Sequence, residues 1–223
     1  MHSQFHSTLA AYERWAATYT PAPHNPLMRA EQKAMLEDWP EVEGRRALDL
    51  ACGSGRYTKL LAEAGAAVVT ALDFSTAMLR QVADCQRVQA SMMSLPFVRG
   101  AFDVVVSGLA VGHASGIEPW MTEVARVLDR DGVLLYSDFH PEAARAGLPR
   151  SFKDEDGRVH AVPHNSFEVS SQTAAATEAG LLVEKVRELR VGMEICEPFS
   201  GSEAFYRQWH GLPLVLIVRA RKQ

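Results

Sequence analysis

Two hydrophobic periods alternate along the middle of the chain. Segments rich in apolar residues, typical of buried strands, lie at residues 47–51, 67–72, 102–107 and 133–138, and a short strand is predicted near 87–90. Several segments between these runs instead carry apolar residues every three or four positions, which is the period of a helix buried on one face. Strands that alternate with helices in this way predict right-handed crossovers and a mainly parallel sheet.

The ends of the predicted helices carry residues that favour helix starts and stops. Gly65 follows a segment that has Leu61 on its apolar face, and glycine readily adopts the left-handed conformation that often follows a helix. Ser75 precedes a segment that contains Met78, and a serine hydroxyl can accept a hydrogen bond from a first-turn amide. A further helix is predicted around residues 119–128.

The N-terminal region predicts two helices separated by prolines. The first has apolar residues at helical spacing, and prolines at 21, 23 and 26 interrupt it because proline blocks helix continuation. The second helix is expected over about residues 27–38. The residues that form the apolar face of the first helix are Phe5, Leu9, Tyr12, Ala16 and Tyr19.

Beyond residue 141 the alternation is interrupted and then resumes. Residues 141–170 contain glycines, prolines and polar positions, which indicates an inserted loop or hairpin. A helix at 171–179 and a strand at 182–189 follow. A helix around 202–208 and a strand at 212–218 end the pattern. The count predicts a seven-stranded, doubly wound α/β sheet whose last two strands lack a full crossover helix.

Composition narrows the class of protein. Charged residues make up 22% of the chain and the formal net charge is −4, which argues against disorder and against nucleic-acid binding by phosphate neutralisation. The longest apolar run, 212–218, is too short to span a bilayer, and residues 1–6 lack a secretory pattern. Three cysteines are too few for a disulfide framework. We expect a cytoplasmic protein without a membrane or nucleic-acid partner.

The strongest local signal follows the first predicted strand. It is the sequence Asp49-Leu50-Ala51-Cys52-Gly53-Ser54-Gly55. Its two glycines permit unusual backbone angles and let a ligand approach the main chain. Asp73, at the end of the next strand, can accept both ribose hydroxyls of a nucleoside. Ligands of open parallel sheets bind at this edge, where the strand order reverses.

A dinucleotide-binding loop is the competing interpretation. Its pattern requires a third glycine or alanine, and Thr58 stands at that position. Asp49 lies four residues before the first glycine, where a carboxylate would be unfavourable beside a pyrophosphate. It suits the cationic group of an amino acid, so we favour a nucleoside that carries an amino-acid portion.

On these residues the chain resembles the class I S-adenosylmethionine-dependent methyltransferases, particularly the small-molecule branch that includes ubiquinone and biotin-precursor methyltransferases. The resemblance implies a Rossmann-like domain over residues 1–223. Its expected parts are an N-terminal helical cover (1–40), a cofactor-binding core (45–140), an inserted segment on the substrate side (141–170) and a C-terminal completion of the sheet (171–223). The matching stretches are 47–55, 71–79, 94–97 and 102–107.

The resemblance also implies roles for individual residues. Asp49 and the glycine loop would hold the methionine moiety of S-adenosylmethionine, and Asp73 its ribose. The adenine would lie against residues before Pro96, where the family usually has an acid and this chain has Ser91. The complete expected cofactor-binding set is Tyr19, Asp49, Ala51, Gly53, Gly55, Asp73, Phe74, Met78, Ser91, Met92 and Leu109.

Catalysis of methyl transfer requires alignment and water exclusion, with a base only where the acceptor must lose a proton. Candidate bases or acceptor contacts are His113, His140 and His164, which follow strands or lie in the inserted segment. The set Asp138, His140, His160 and His164 matches no metal-ligand spacing, so we expect no metal. Aromatic residues that can build either a pocket or core are Tyr12, Trp15, Phe152, Phe205, Tyr206 and Trp209.

Three functions follow from the sequence, and one is preferred. The preferred function is transfer of a methyl group to oxygen, nitrogen or carbon of a small organic molecule, with S-adenosylhomocysteine as product. A non-catalytic, cofactor-binding regulatory protein is the second. A protein or nucleic-acid methyltransferase is the third, and the absence of a basic run and of an Asn/Asp-Pro-Pro-Tyr type motif after residue 107 disfavours nucleic acid. The acceptor and the oligomeric state are not predicted.

Overall fold

A seven-stranded sheet organises the chain. The computed structural model describes residues 5–153, 156–196 and 202–223. The helices are α1 (Phe5–Trp15), α2 (Pro26–Glu37), α3 (Arg56–Glu63), α4 (Thr76–Leu79), α5 (Ile117–Val127), α6 (Pro141–Arg145), α7 (Val169–Glu178), α8 (Met193–Cys196) and α9 (Ser202–Trp209). The strands are β1 (Arg46–Leu50), β2 (Val68–Asp73), β3 (Gln86–Gln89), β4 (Phe102–Ser107), β5 (Leu128–Phe139), β6 (Ser151–Lys153), β7 (Val159–Ala161), β8 (Leu181–Arg190) and β9 (Pro213–Lys222).

The strand order in the large sheet is β3-β2-β1-β4-β5-β9-β8. Strands β1 to β5 are parallel, whereas β9 pairs antiparallel with both β5 and β8. The chain winds outward in one direction from β1 to β3 and then in the other direction from β4. The strand order therefore reverses between β1 and β4, and this confirms the predicted doubly wound fold. Its ligand-binding edge is at the carboxyl ends of these two strands.

Alternate side chains of the central strands enter two separate hydrophobic cores. In β1, Leu48 and Leu50 face the core that contains Trp120 of α5. Ala47 faces the opposite core, where Met35 of α2 and Leu61 of α3 are fully buried. Burial on both faces requires nearly continuous apolar strands, which is the pattern that the sequence carries.

Differences from the predicted elements are small and have local causes. Helix α4 is a single turn, although Ser75 caps it as predicted by accepting a bond from the amide of Met78 at 3.2 Å. Strand β5 begins at Leu128, five residues before the strand predicted at 133–138, and its register against β4 is irregular in this added part. Helix α8 was not predicted, since one turn leaves little periodicity to detect.

The interrupted region begins with α6 and contains a hairpin, as its composition indicated. Strands β6 and β7 pair antiparallel apart from the large sheet. Within the described residues, no helix has the length and hydropathy needed to cross a membrane. Residues 1–4, which formed part of the N-terminal pattern considered above, lie outside the described residues.

A buried carboxylate joins three elements beneath the ligand-binding edge. Glu31 of α2 is fully buried, and one of its oxygens accepts hydrogen bonds from the hydroxyls of Tyr57 (2.7 Å) and Ser137 (2.5 Å). Its other oxygen lies 2.8 Å from Nη1 of Arg56. The charges are thus paired and hydrogen-bonded, which is the condition under which a buried ion pair is tolerated. The cluster fixes α2 and α3 against β5.

Replacement of Glu31 by alanine is expected to destabilise the protein by about 3–5 kcal/mol, because it leaves the buried guanidinium of Arg56 without its carboxylate. The matched control on the same helix is Glu37→Ala, which breaks a partly exposed pair with Arg187. We expect that control to cost about 1 kcal/mol or less. Urea denaturation measures both changes, and similar losses for the two variants would contradict the role of the buried cluster.

Candidate active site

A cavity of about 460 Å³ opens at the edge where the strand order reverses. The loop after β1, the end of β2 and the segment after β4 form one part of its wall. Helix α1 and the inserted segment 141–170 supply side chains on the rest. Most of the predicted cofactor-binding residues are among its lining: Tyr19, Asp49, Ala51, Gly53, Asp73, Phe74, Ser91, Met92 and Leu109.

The loop after β1 adopts the left-handed backbone that its glycines favour. Gly53 and Gly55 have φ of 55° and 90°, and Ala51 has φ of 58°. A residue other than glycine in this region is uncommon and is associated with functional sites. A Cβ atom added at Gly53 would lie 3.7 Å from the ring of Tyr19, so that ring covers the loop.

Two residues of the expected set lie outside the cavity lining. Gly55 is the N-cap of α3, where an added Cβ atom would lie 3.1 Å from the side chain of Val82. Met78 is fully buried in α4. The structure therefore gives Gly55 a role in starting the helix and Met78 a role in packing, and neither residue is brought to the cavity.

Asp73 holds the two backbone segments that meet at the cavity. Its carboxylate oxygens accept hydrogen bonds from the amides of Gly53 (2.8 Å) and Ser75 (2.9 Å). Burial raises its pKa, while these backbone amides oppose the rise. Each carboxylate oxygen can accept more than one hydrogen bond. The side chain can therefore fix the loop and still accept a ligand hydroxyl.

Asp49 is a nearly fully buried carboxyl at the floor of the cavity. The hydroxyl of Thr58 donates to it at 2.7 Å. Burial raises its pKa to about 7, and the bond from Thr58 and the charge of Arg56 only partly oppose this effect. A cation bound above Asp49 would stabilise the ionised form. The position therefore suits a ligand that carries positive charge, as the sequence indicated.

Helix α1 covers the cavity through aromatic and polar contacts. Trp15 lies 4.7 Å from Tyr19 between ring centroids and 4.7 Å from Phe152 of the inserted hairpin, with the latter pair stacked. Glu13 accepts a hydrogen bond from the hydroxyl of Ser75 at 2.7 Å, which attaches α1 to α4. Tyr12 and Trp15 are pocket residues, whereas Phe205, Tyr206 and Trp209 pack against the core beside α2.

The segment after β3 provides a mainly apolar wall. Ser91 and Met92 line the cavity there, and the hydroxyl of Ser91 accepts a hydrogen bond from the amide of Met93 at 3.2 Å. Phe74 lines the cavity next to Asp73. This wall can hold an aromatic base by its faces and by backbone groups, although Ser91 supplies no carboxylate.

Two of the three candidate histidines reach the cavity. His113 lies in a short 3-10 turn after β4, and its Nε2 is 2.8 Å from the hydroxyl of Tyr12. Burial lowers the pKa of His113 well below its ordinary value, and the nearby charge of Arg150 lowers it further. His164 also lines the cavity, and burial lowers its pKa in the same direction. Burial therefore favours the neutral form of both imidazoles.

His140 is not brought to the cavity. It is nearly fully buried at the start of α6, where its Nδ1 accepts a hydrogen bond from the amide of Glu142 at 3.2 Å. Its Nε2 lies 3.5 Å from a carboxylate oxygen of Glu188. Burial lowers its pKa, and Glu188 opposes the shift. The geometry assigns it to capping α6. From the sequence, the position of His140 directly after a strand was compatible with a helix cap and with a catalytic group.

Two arginines that the sequence analysis did not single out line the cavity. Arg56 follows the glycine loop directly, so its place in the motif could have identified it. Arg150 belongs to the inserted segment, where no periodic pattern indicates which side chains turn inward. One terminal nitrogen of Arg150 donates to the backbone oxygen of Leu109 and lies 3.4 Å from the hydroxyl of Tyr12.

The doubly wound fold and the buried acids at this edge suit a nucleoside with a cationic group. Comparisons with known proteins specify the family. A family model described as a methyltransferase domain matches residues 48–136. The chain is 34% identical over 156 residues to a malonyl-[acyl-carrier protein] O-methyltransferase of Enterobacter lignolyticus, covering 68% of this chain and 61% of that protein. It is 30% identical over 174 residues to the protein of the same name from Pseudescherichia vulneris, covering 75% of this chain and 66% of that protein.

A solved structure agrees over nearly the whole domain. An S-adenosylmethionine-dependent methyltransferase from Mesorhizobium loti superposes with a TM-score of 0.70 and 25% identity, covering 86% of this chain and 98% of that one. The chain belongs to the class I S-adenosylmethionine-dependent methyltransferases, and S-adenosylmethionine is its cofactor. The chain spans somewhat less than two thirds of the length of the curated relatives described above.

The residues at this edge fit the cofactor by their chemistry. An added Cβ atom at Gly108 would lie 2.2 Å from the ring of Tyr57, so this part of the wall has no room for a larger residue. The buried acid Asp49 matches the cationic methionine portion. Asp73 matches the ribose, and its oxygens keep accepting capacity. These assignments of single residues stay predictions.

We expect the affinity for S-adenosylmethionine to rise as the pH increases from 6 to 7.5. The pKa of Asp49 is raised to about 7 by burial, so the cationic ligand must displace a proton below that pH. The rise should be roughly three- to tenfold, with proton release on binding. Calorimetry in two buffers of different ionisation enthalpy measures both quantities.

Asp49→Asn is the matched test of this pH dependence. It retains the size of the side chain but cannot ionise, so we expect weaker binding and a flatter dependence between pH 6 and 7.5. An unchanged pH slope in the variant would assign the titration to another group.

Proposed function

We propose that this protein transfers the methyl group of S-adenosylmethionine to an oxygen atom of a small organic acceptor. One observation carries the proposal: a single cavity joins the cofactor-binding edge to side chains from α1 and from the inserted segment. A regulatory protein that only binds the cofactor would not need side chains from the inserted segment at this cavity. The cavity is lined by aromatic and polar residues, which is typical of sites for small organic ligands.

The chain's own residues supply binding, alignment and exclusion of water. Bound S-adenosylmethionine supplies an activated methyl group on a sulfonium. Asp49 and Asp73 hold the two ends of a nucleoside with an amino-acid portion, while Tyr19, in the segment after α1, covers the loop. Such positioning converts a reaction between two molecules into one within a complex, and this is the main source of catalysis here.

The choice of oxygen as acceptor is supported by the relatives. Two of them are named as O-methyltransferases of malonyl-[acyl-carrier protein], and we extend to this chain only the transfer to oxygen. The near-neutral charge balance is unfavourable for a nucleic-acid acceptor. The expected cytoplasmic location and the division of the chain into one domain with four parts stay predictions.

Replacement of Asp73 by alanine is expected to weaken binding of S-adenosylmethionine by about 10- to 100-fold. The reason is the loss of hydrogen bonds to a charged acceptor, each of which contributes about 1.5–3 kcal/mol. Isothermal calorimetry measures the dissociation constant, and Glu178→Ala, an exposed acid at the end of α7, is the control. Full affinity in Asp73→Ala would show that the ribose lies elsewhere, and no binding by the unaltered protein would contradict the proposed function.

A further inference from the structure

Arg150 reaches the cavity from outside the sheet and is held by two other elements. It follows Pro149 in the inserted segment and lines the cavity. Its Nη2 donates to the backbone oxygen of Leu109 in the segment after β4, and it lies 3.4 Å from the hydroxyl of Tyr12 on α1. Leu109 is itself in the left-handed region, with φ of 54°. The guanidinium thus has a fixed position.

The other terminal nitrogen of Arg150 is buried without a hydrogen-bond partner. A guanidinium carries five N–H donors in a planar fork, and a buried donor that stays unpaired is unfavourable. In contrast, Arg56, the other arginine that lines the cavity, is paired with Glu31 at 2.8 Å. The orphaned nitrogen of Arg150 therefore indicates a binding position for an anion that enters the cavity.

No carboxylate within the described part of the chain forms an ion pair with Arg150. Asp138 is near enough to be influenced by its charge, but one oxygen of Asp138 accepts a hydrogen bond from the amide of Gly112 at 3.0 Å. Arg150 therefore brings a positive charge to the cavity without an ion-pair partner among these residues. A guanidinium suits a carboxylate ligand because its planar N–H donors complement the two carboxylate oxygens.

The histidines at the cavity are consistent with an acceptor that needs no base. Burial lowers the pKa of His113, which makes it a weaker base, and its Nε2 is engaged with the hydroxyl of Tyr12. A hydroxyl acceptor would require a positioned base, whereas a carboxylic acid is already ionised at pH 7 because its ordinary pKa is about 4. A carboxylate can act as the nucleophile directly.

We propose that the methyl acceptor is a carboxylic acid whose carboxylate is bound by Arg150, and that the product is its methyl ester. The proposal rests on the proposed function and names the class of acceptor. One carboxylate oxygen forms a bond to the methyl carbon while the bond from that carbon to sulfur breaks. The electron pair of the broken bond stays on sulfur, which gives S-adenosylhomocysteine, and no proton is transferred. Arg150 holds the carboxylate next to the methyl group during this step.

Binding of acids and their amides tests the proposal. The protein is saturated with S-adenosylhomocysteine and titrated by calorimetry with three pairs: malonyl-pantetheine and its terminal amide, phenylacetate and phenylacetamide, and dodecanoate and dodecanamide. We expect at least one acid to bind tenfold or more tightly than its amide. No preference in any pair overturns the proposal, and so does tighter binding of inorganic phosphate than of every acid.

Variants of Arg150 assign the preference to this residue. Arg150→Met should remove the preference for the acid, while the affinity for S-adenosylhomocysteine stays within twofold. Arg150→Lys should retain part of it, because the charge remains but the fork is lost. The control is Arg145→Met in the same segment, which loses only an exposed pair with Glu168. If Arg150→Met keeps the full preference for the acid over its amide, the assignment to Arg150 is wrong. If that variant does not fold, Arg150→Lys replaces it in the test, and a full preference in Arg150→Lys overturns the assignment.

Methyl transfer provides a second readout. With S-adenosylmethionine carrying a labelled methyl group, the acid that binds most tightly should yield product whose label is released as methanol in alkali, as expected of a methyl ester. Label that is stable to alkali, or no transfer to an acid that binds, overturns the proposal. Failure to bind S-adenosylhomocysteine at all would instead contradict the proposed function, so the two failures are distinguishable.

Discussion

The buried carboxylate of Glu31 is the interaction on which the geometry of the cavity depends. It accepts hydrogen bonds from Tyr57 and Ser137 and pairs with Arg56, so it holds the start of α3 against β5. The hydroxyl of Ser137 also accepts a hydrogen bond from the amide of Leu109 at 2.9 Å, and the oxygen of Leu109 accepts from Arg150. One chain of polar contacts therefore links the helix after the glycine loop to the proposed acceptor-binding residue. Because such a buried group is costly when unpaired, the cluster favours one arrangement of these elements.

The fold could be predicted from the sequence because each element is indicated by its own residues, and often by more than one of them. Each central strand is buried on both faces, so runs such as residues 102–107 stand out without knowledge of their partners. Gly65 and Ser75 mark helix ends by their own backbone and side-chain preferences. The weakly predicted elements lack such signals. Helix α8 is one turn long, and the first part of strand β5 pairs irregularly with β4.

The position of the two acids at the cavity could be predicted for the same reason, whereas the side chains of the inserted segment could not be placed there from the sequence. Asp49 and Asp73 stand at the ends of adjacent parallel strands, and the parallel order alone brings strand ends together. Arg150 and His164 lie in a segment without regular period, so their approach to the cavity is decided by tertiary packing. His140 shows the converse problem. It directly follows a strand at the ligand-binding edge, but the turn into α6 directs its ring to the amide of Glu142 and away from the cavity.

The strand ends and the inserted segment contribute different chemistry to the cavity. The sheet positions buried acids and a loop that permits close approach, and these features suit a sulfonium cofactor. The acceptor side then has only to hold a nucleophile in line and exclude water. If the nucleophile is a carboxylate, its charge is already present at pH 7, and a fixed cation is more useful than a base. Burial lowers the pKa of His113 and the charge of Arg150 lowers it further, so the same charge that would bind the acceptor opposes protonation of the neighbouring imidazole. A protonated His113 would compete with Arg150 for the acceptor carboxylate. Keeping it neutral leaves a single cationic position in which the carboxylate can be oriented.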